Sequence, residues 1–219
     1  YEPQTDCKGS WNISSIETAP DFSATAYYFA TLLSRALRIP VGIICSAYGG
    51  STVEGWISRE LLENYPDISL NPDSIERLRP MLMYNAMLKP LQNYTIKGFI
   101  WYQGESNVGR HETYAERLAD MVQLWRKEWG LGELPFYFAE IAPYAYGGIQ
   151  QEKAAYLREA QFRAQSLIPN SAMISTNDLV EPYEIYNIHP RNKTKVGQRL
   201  SYLALNLTYG LKQIHCFGP

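Results

Sequence analysis

Apolar and polar positions alternate along this chain in two distinct rhythms. From Ser23 to Arg38 the period is helical. Ala26, Phe29, Ala30, Leu33 and Leu37 share one face, Ser23 or Asp21 is placed to cap it, and Pro40 stops it. Val41 to Ala47 is a β-rich apolar run, the first predicted strand, and it ends in the turn Tyr48-Gly49-Gly50-Ser51. A short helix is predicted around Val53 and another from the Ser58 cap, and a Pro- and Asn-punctuated connection covers 64–80. A helical turn or two spans Met81 to Leu88. Ile96 to Tyr102 reads as a strand buried on both faces, followed by the polar cluster Gln103-Gly104-Glu105-Ser106-Asn107. Glu112 to Trp129 is amphipathic, with Leu118, Met121, Val122, Trp125 and Trp129 on its apolar side and Gly130 at its end. A strand at Pro135–Ile141, a helix at Gln151–Leu167, a short strand at Ala172–Ser175 and a last helix at Asn192–Leu207 complete the pattern. Strands alternating with helices predict an α/β fold: a parallel sheet with helices on both faces. The division is an irregular lead-in at 1–22, one domain at 23–210, and the start of a C-terminal extension at 211–219.

Composition narrows the function classes. The 219 residues suffice for one α/β domain with a full core, and 46% are hydrophobic. A formal net charge of −2 gives no electrostatic footprint for nucleic acid. No apolar run approaches the ~18 residues of a membrane span, and no charged-then-apolar signal segment opens the chain. Cys7, Cys45 and Cys216 have no metal-type spacing. Cys45, in an apolar run, is expected to be a buried free thiol, and Cys7 and Cys216 can pair if the two ends meet. Asn-x-Ser/Thr sites occur at Asn12, Asn93, Asn192 and Asn206, which matter in a secretory protein.

Three polar segments follow predicted strands: Gly49-Gly50-Ser51, Gln103 to Asn107, and the 176–191 loop with His189. In open α/β sheets ligands bind beyond the carboxyl ends of the strands, so all three are expected on one edge. Ester hydrolysis needs a nucleophile, a base and donors for an oxyanion. A Gly-Gly turn presents N–H groups unobstructed by Cβ, Gln103 offers an amide, and His189 titrates in the range a general base needs. Each feature also has a plain structural use: a tight turn, a satisfied polar residue, a helix cap. Their joint occurrence at strand ends is what favours the chemical reading. His111 and His215 lie away from any strand end.

The run Trp101-Tyr102-Gln103-Gly104-Glu105-Ser106-Asn107 resembles a signature of the sialate O-acetylesterase family, a carbohydrate-esterase branch of the SGNH hydrolases. Phe22-Ser23-Ala24, the block Gly49-Gly50-Ser51-Thr52-Val53-Glu54-Gly55-Trp56, and Ile188-His189-Pro190 with Val196-Gly197-Gln198-Arg199-Leu200 are similar to further blocks of that family. The resemblance implies a three-layer α/β/α, flavodoxin-like SGNH domain. It implies a serine carboxylic-ester hydrolase acting on acetylated sugars outside the cytoplasm, whether secreted, periplasmic or lysosomal, with no cofactor and no metal. It makes His189 the base, Gly49 or Gly50 with Gln103 the oxyanion site, and Glu105, Asn107 and Ser51 substrate-lining groups. An acetylxylan-type esterase on the same fold, and a non-catalytic carbohydrate-binding module that has lost its nucleophile, are the alternatives.

Two departures from the family pattern stand out. Asn187 occupies the position where members often carry Asp, which leaves Asp178, Glu184 or Asn187 itself as the partner of the histidine. The Gly-Gln-Ser-Asn motif that holds the family's serine is absent, as is a Gly-x-Ser-x-Gly elbow; Ser46 and Ser51 fall in or beside the glycine block instead. Flavodoxin-like sheets have strand order 2-1-3-4-5. The four predicted strands then lack the first, which belongs between Val41–Ala47 and Ile96–Tyr102. A second segment or chain of the same precursor is therefore expected to supply both strand and serine, and Phe217-Gly218-Pro219 is expected to lead into further β-structure.

Overall fold

The structure is a computed structural model that describes residues 2–71, 75–148 and 152–216. Three short parallel strands form the sheet: β1 (Phe99–Tyr102), β2 (Phe136–Ala139) and β3 (Ser171–Ile174), in the order β1-β2-β3. Phe99 is in register with Phe136, and Phe136 with Ser171. The main helices are α1 (Ala24–Leu37), α2 (Arg59–Leu62), α3 (Tyr114–Trp129), α4 (Lys153–Leu167) and α5 (Thr194–Leu203).

Side chains alternate across each strand, and that alternation builds two cores. Trp101, Phe136 and Phe138 face α3 and α4. Ile100, Tyr102, Tyr137 and Ala139 face α1 and α5. Helices therefore cover both faces, giving three layers. The crossovers from β1 to β2 through α3 and from β2 to β3 through α4 lie on one face, as repeated right-handed connections require. The Ser23 hydroxyl accepts the Ala26 N–H at 3.3 Å to start α1. Gly130, at φ 63°, ends α3. The buried Arg126 ties that end to the sheet: its Nε donates to Leu134 O at 2.9 Å and its Nη2 to Pro169 O at 2.8 Å.

The predicted strand Val41–Ala47 is corrected. The segment is not a strand: it pairs with no described strand, so three strands and not four are present among the described residues. A β-rich sequence forms a ladder only where a partner offers hydrogen bonds, and here an open cleft lies between this segment and the unpaired edge of β1. For the same reason Cys45 is exposed rather than buried. Cys7 and Cys216 do not pair; Cys7 is exposed and Cys216 buried. The strand predicted over Ile96–Tyr102 shortens to β1. Two predicted helical stretches change pitch: Tyr84–Leu88 and Ala204–Thr208 are π-helical turns. Gln151, the predicted start of α4, and Phe217–Pro219 lie outside the described residues. Asn12, Asn93 and Asn192 are exposed, whereas the Asn206 amide is buried and donates to Ile214 O at 2.7 Å. Among the described residues no helix is long and apolar enough to cross a membrane.

Candidate active site

The first piece of the site is the turn at 48–51. The Ser51 N–H donates to Tyr48 O at 3.2 Å, and Gly50 adopts φ 74°, a conformation that disfavours any Cβ. Among the described residues the N–H groups of Gly49 and Gly50 have no backbone acceptor, and both residues are exposed. Two free donors side by side in an exposed turn suit an anion or a developing oxyanion.

The second piece follows β1. Gly104 sits at φ 151°, and a Cβ there would lie 2.6 Å from Ile141 Cγ2, so only glycine lets the chain turn here. Gln103 is buried beneath the glycine turn with its amide fully engaged. Its Nε2 donates to Ser51 O at 2.9 Å and Asn107 Oδ1 at 2.8 Å, and its Oε1 accepts from Tyr114 Oη at 3.0 Å. Asn107 is also beneath the turn rather than at the cleft surface. It accepts the Val53 N–H at 3.0 Å and donates to Glu54 Oε2 at 3.1 Å. Glu54 pairs with Arg117 at 2.6 Å and approaches Arg110 at 3.8 Å, and Arg117 also binds Asp67. Burial alone would raise the Glu54 carboxyl, but the Arg110 charge, its own N–H, Asn107 and Thr52 outweigh it and hold it below the usual range.

The third piece is the loop before α5. His189 is exposed there, and its backbone N–H donates to Asn187 Oδ1 at 3.0 Å. Among the described residues no hydrogen bond reaches the His189 ring. The two candidate carboxylates are engaged elsewhere. Both Asp178 oxygens accept from Arg199, at 2.7 and 2.6 Å. The two Glu184 oxygens accept the N–H groups of Arg191 and Glu181 at 3.0 and 3.4 Å, which fixes the loop.

The three pieces meet in one cleft of about 470 Å³. Ile43 to Tyr48 form one wall and Ile100 and Tyr102 the other. Gly49, Gly50, Gln103, Glu105, His189 and Lys193 also line it. Burial raises the Glu105 carboxyl, partly offset by its own N–H and by the Lys193 and His189 charges. Burial depresses the Lys193 ammonium, which lies 5.1 Å from the centre of the Tyr102 ring. Four serines line the cleft. Ser46 Oγ donates to Met87 O at 2.9 Å and Ser106 Oγ to Gly50 O at 2.8 Å, whereas Ser51 Oγ accepts from Trp56 Nε1 at 2.9 Å and Ser23 Oγ from Ala26 N at 3.3 Å. Among the described residues none of the four bonds to His189.

The structure thus brings Gly49, Gly50, Ser51, Gln103, Glu105 and His189 together. It places Asn107 beneath them, and Asp178, Glu184 and Asn187 in the support of the histidine loop. Sequence reasoning missed Lys193 and the buried Arg117. Arg117 carried a signal: it stands among the apolar positions of α3, three residues after Tyr114 and four before Met121, and a cation there demands a buried acid. Lys193 carried none. Among the described residues no cluster of His, Cys, Asp and Glu is placed to hold a metal ion.

The site is thus a Gly-Gly turn, Gln103 and a histidine lining one cleft of an α/β fold, and sequence comparison gives the family. Residues 12–206 match the family described as carbohydrate esterase, sialic acid-specific acetylesterase, and the chain belongs to it. Mouse sialate O-acetylesterase is 27% identical over 90% of this chain and 44% of its own length. The human sialate O-acetylesterase is 29% identical over 90% of this chain and 41% of its own. The crystal structure of a carbohydrate acetylesterase from Xanthomonas citri superposes with a TM-score of 0.85 at 36% identity, over 95% of this chain and 47% of that one. The chain therefore spans less than half the length of these relatives.

Proposed function

We propose that this chain is the larger part of an SGNH-type carbohydrate O-acetylesterase domain that removes acetyl groups from sugars by serine–histidine acyl transfer. The observation that carries this reading is the convergence of the Gly49-Gly50 turn, Gln103 and His189 on one cleft beside a sheet edge. His189 takes the proton of a serine hydroxyl as its oxygen attacks the acetyl carbonyl. The tetrahedral oxyanion is received by the N–H groups of Gly49 and Gly50, and by Gln103 once it exchanges its bond to Ser51 O. The C–O bond to the sugar then breaks, and the His189 imidazolium returns the proton to the departing sugar oxygen. Water repeats the sequence on the acetyl-enzyme and releases acetate. Glu105 and Ser51 flank the acyl group.

The serine comes from a separate segment or chain of the same precursor, seated in the open cleft between Ile43–Tyr48 and β1. That none of the four serines lining the cleft bonds to the His189 ring supports that assignment. Acetylated sialic acid is the favoured substrate, because the mammalian relatives carry that name; acetylated xylan is the rival. Action outside the cytoplasm fits the exposed Asn12, Asn93 and Asn192 sequons.

The test is acetate release from acetylated sialic acid and acetylated xylan by the full-length protein. His189→Ala is expected to lower turnover by roughly two to four orders of magnitude. Turnover near wild type would remove His189 from the reaction. Binding of the acetylated sugar without acetate release would replace the esterase with a carbohydrate-binding module.

A further inference from the structure

The Gly49-Gly50 turn has a charged neighbour at the rim of the cleft. Arg77, in the exposed 3-10 turn Glu76–Leu78, lays its side-chain stem against Gly50. A Cβ on Gly50 would lie 2.7 Å from Arg77 Cδ and 3.3 Å from its Nε. Glycine here thus serves both the positive φ and the close approach of the arginine. The segment that carries Arg77 is tied down on either side. Tyr48 Oη donates to Glu76 Oε1 at 2.9 Å, and the Met81 N–H donates to Glu54 O at 2.9 Å.

The cations around the site differ in what already neutralises them. Arg110 donates to Ser106 O at 3.3 Å and approaches Glu54 at 3.8 Å. Arg117 is buried between Glu54 and Asp67. Lys193 lies over Tyr102, with the Glu105 and Glu184 charges near it. Arg77 is exposed, and among the described residues no ion pair or side-chain hydrogen bond reaches its guanidinium. Its neighbour Glu76 turns to Tyr48 instead. That bond to Glu76 raises the Tyr48 phenol, and the Arg77 and Arg79 charges oppose the rise, so positive charge is felt at the cleft wall.

We infer that Arg77 is a specificity-determining residue, which binds a carboxylate of the acetylated sugar while the Gly49-Gly50 turn receives the acyl oxygen. This rests on the esterase reading above. A guanidinium fork meets a carboxylate through two parallel N–H···O bonds, and an arginine without a protein acid keeps its fork for a ligand. The group recognised is the carboxylate of an acidic sugar, which sialic acids and uronic acids share and a xylose unit lacks. A preference for acetylated sialic acid over acetylated xylan then has a residue of this chain to carry it.

The test compares Arg77→Gln with the wild-type full-length protein. Its kinetic readout is the ratio of kcat/KM on acetylated sialic acid to kcat/KM on acetylated xylan. Arg77→Gln is expected to lower that ratio at least about tenfold, chiefly by raising KM on the acid. Arg77→Lys, which keeps the charge but not the fork, is expected to lower it less. Acetylated polygalacturonate separates the two sources of the carboxylate: a ratio that falls for it and not for acetylated sialic acid keeps the role of Arg77 and assigns it to uronic acids. The second readout needs no turnover. N-acetylneuraminic acid, galacturonic acid and the methyl ester of each are titrated into both proteins by calorimetry. The wild type is expected to bind one acid at least about fivefold more tightly than its ester, and Arg77→Gln to bind the two alike. Where acetate is released, ratios unmoved by Arg77→Gln for both acids overturn the inference. Where none is released, a wild type that binds each acid and its ester alike overturns it, and so does a preference that persists in Arg77→Gln. A preference that vanishes in Arg77→Gln without any acetate release counts against the esterase reading alone.

Discussion

At the scale of single residues, the site is held from below by charge. Glu54 and Arg117 are both almost fully buried and paired, and Glu54 accepts from Asn107, which joins the pair to the Asn107–Gln103–Ser51 chain of hydrogen bonds. Removing one member leaves the other buried without its full complement, at a cost of about 3–5 kcal/mol. Glu54→Ala is expected to lower the unfolding free energy by that amount at pH 7, read as a lower urea midpoint with an unchanged m-value. The pH dependence follows from the sign of the shift. The folded carboxyl of Glu54 is held below its usual range. Its contribution is thus complete above the unfolded value of about 4.3 and is lost as pH falls through the lower folded value. Wild-type stability is expected to drop from pH 5 toward pH 3, and Glu54→Gln to drop less over the same interval. Equal slopes in the two proteins would mean that Glu54 is not the titrating group.

At the scale of elements, α1 and α5 show what periodicity conveys and what it omits. The apolar faces of both helices are legible because i, i+3, i+4 spacing is a property of one helix alone. How close the two helices come is not, because it depends on a pair. Gly197 decides it here: a Cβ at that position would lie 2.6 Å from Thr25 O and 2.7 Å from Tyr28 Cβ. Ser201 Oγ then reaches Phe29 O at 2.9 Å across the same contact. Gly197→Ala is expected to push the helices apart and cost about 1–3 kcal/mol, read as a lower Tm, with Ser201→Ala adding less than additively because both report one contact. The same reasoning explains the misread strand. Val41–Ala47 has the composition of a strand, but a ladder belongs to two segments, and among the described residues no strand pairs with it. The gathering of Gly49-Gly50, Gln103 and His189 in one cleft was legible from motifs placed after predicted strands. The site was illegible where partners come from distant elements, as with Glu54 and Arg117 or Tyr102 and Lys193.

At the scale of the whole molecule, the open cleft is the feature that the rest of the fold does not explain. β1 is an edge strand with one unpaired side, although its residues are apolar and Trp101 is buried. Soluble proteins protect such edges with charge, bulges or cover. Here the edge faces Ile43 to Tyr48 across about 470 Å³ of space, and among the described residues that facing segment joins no ladder. Both sides of the open cleft can be satisfied by one strand laid between them. Each backbone group left buried and unpaired would otherwise cost about 1–3 kcal/mol, a large share of a stability of only ~5–15 kcal/mol. The proposed inserted segment would also bring a side chain into the cleft that Gly50 and His189 line. The prediction concerns hydrogen exchange. In the full-length protein, amides of Phe99–Tyr102 and of Val41–Ala47 are expected to be protected together, by at least about a hundredfold relative to residues 1–219 alone. That protection is expected to disappear from both segments when the inserted strand is deleted. Protection of β1 without protection of Val41–Ala47 would mean that something other than a strand covers the edge, and the serine would have to be sought elsewhere.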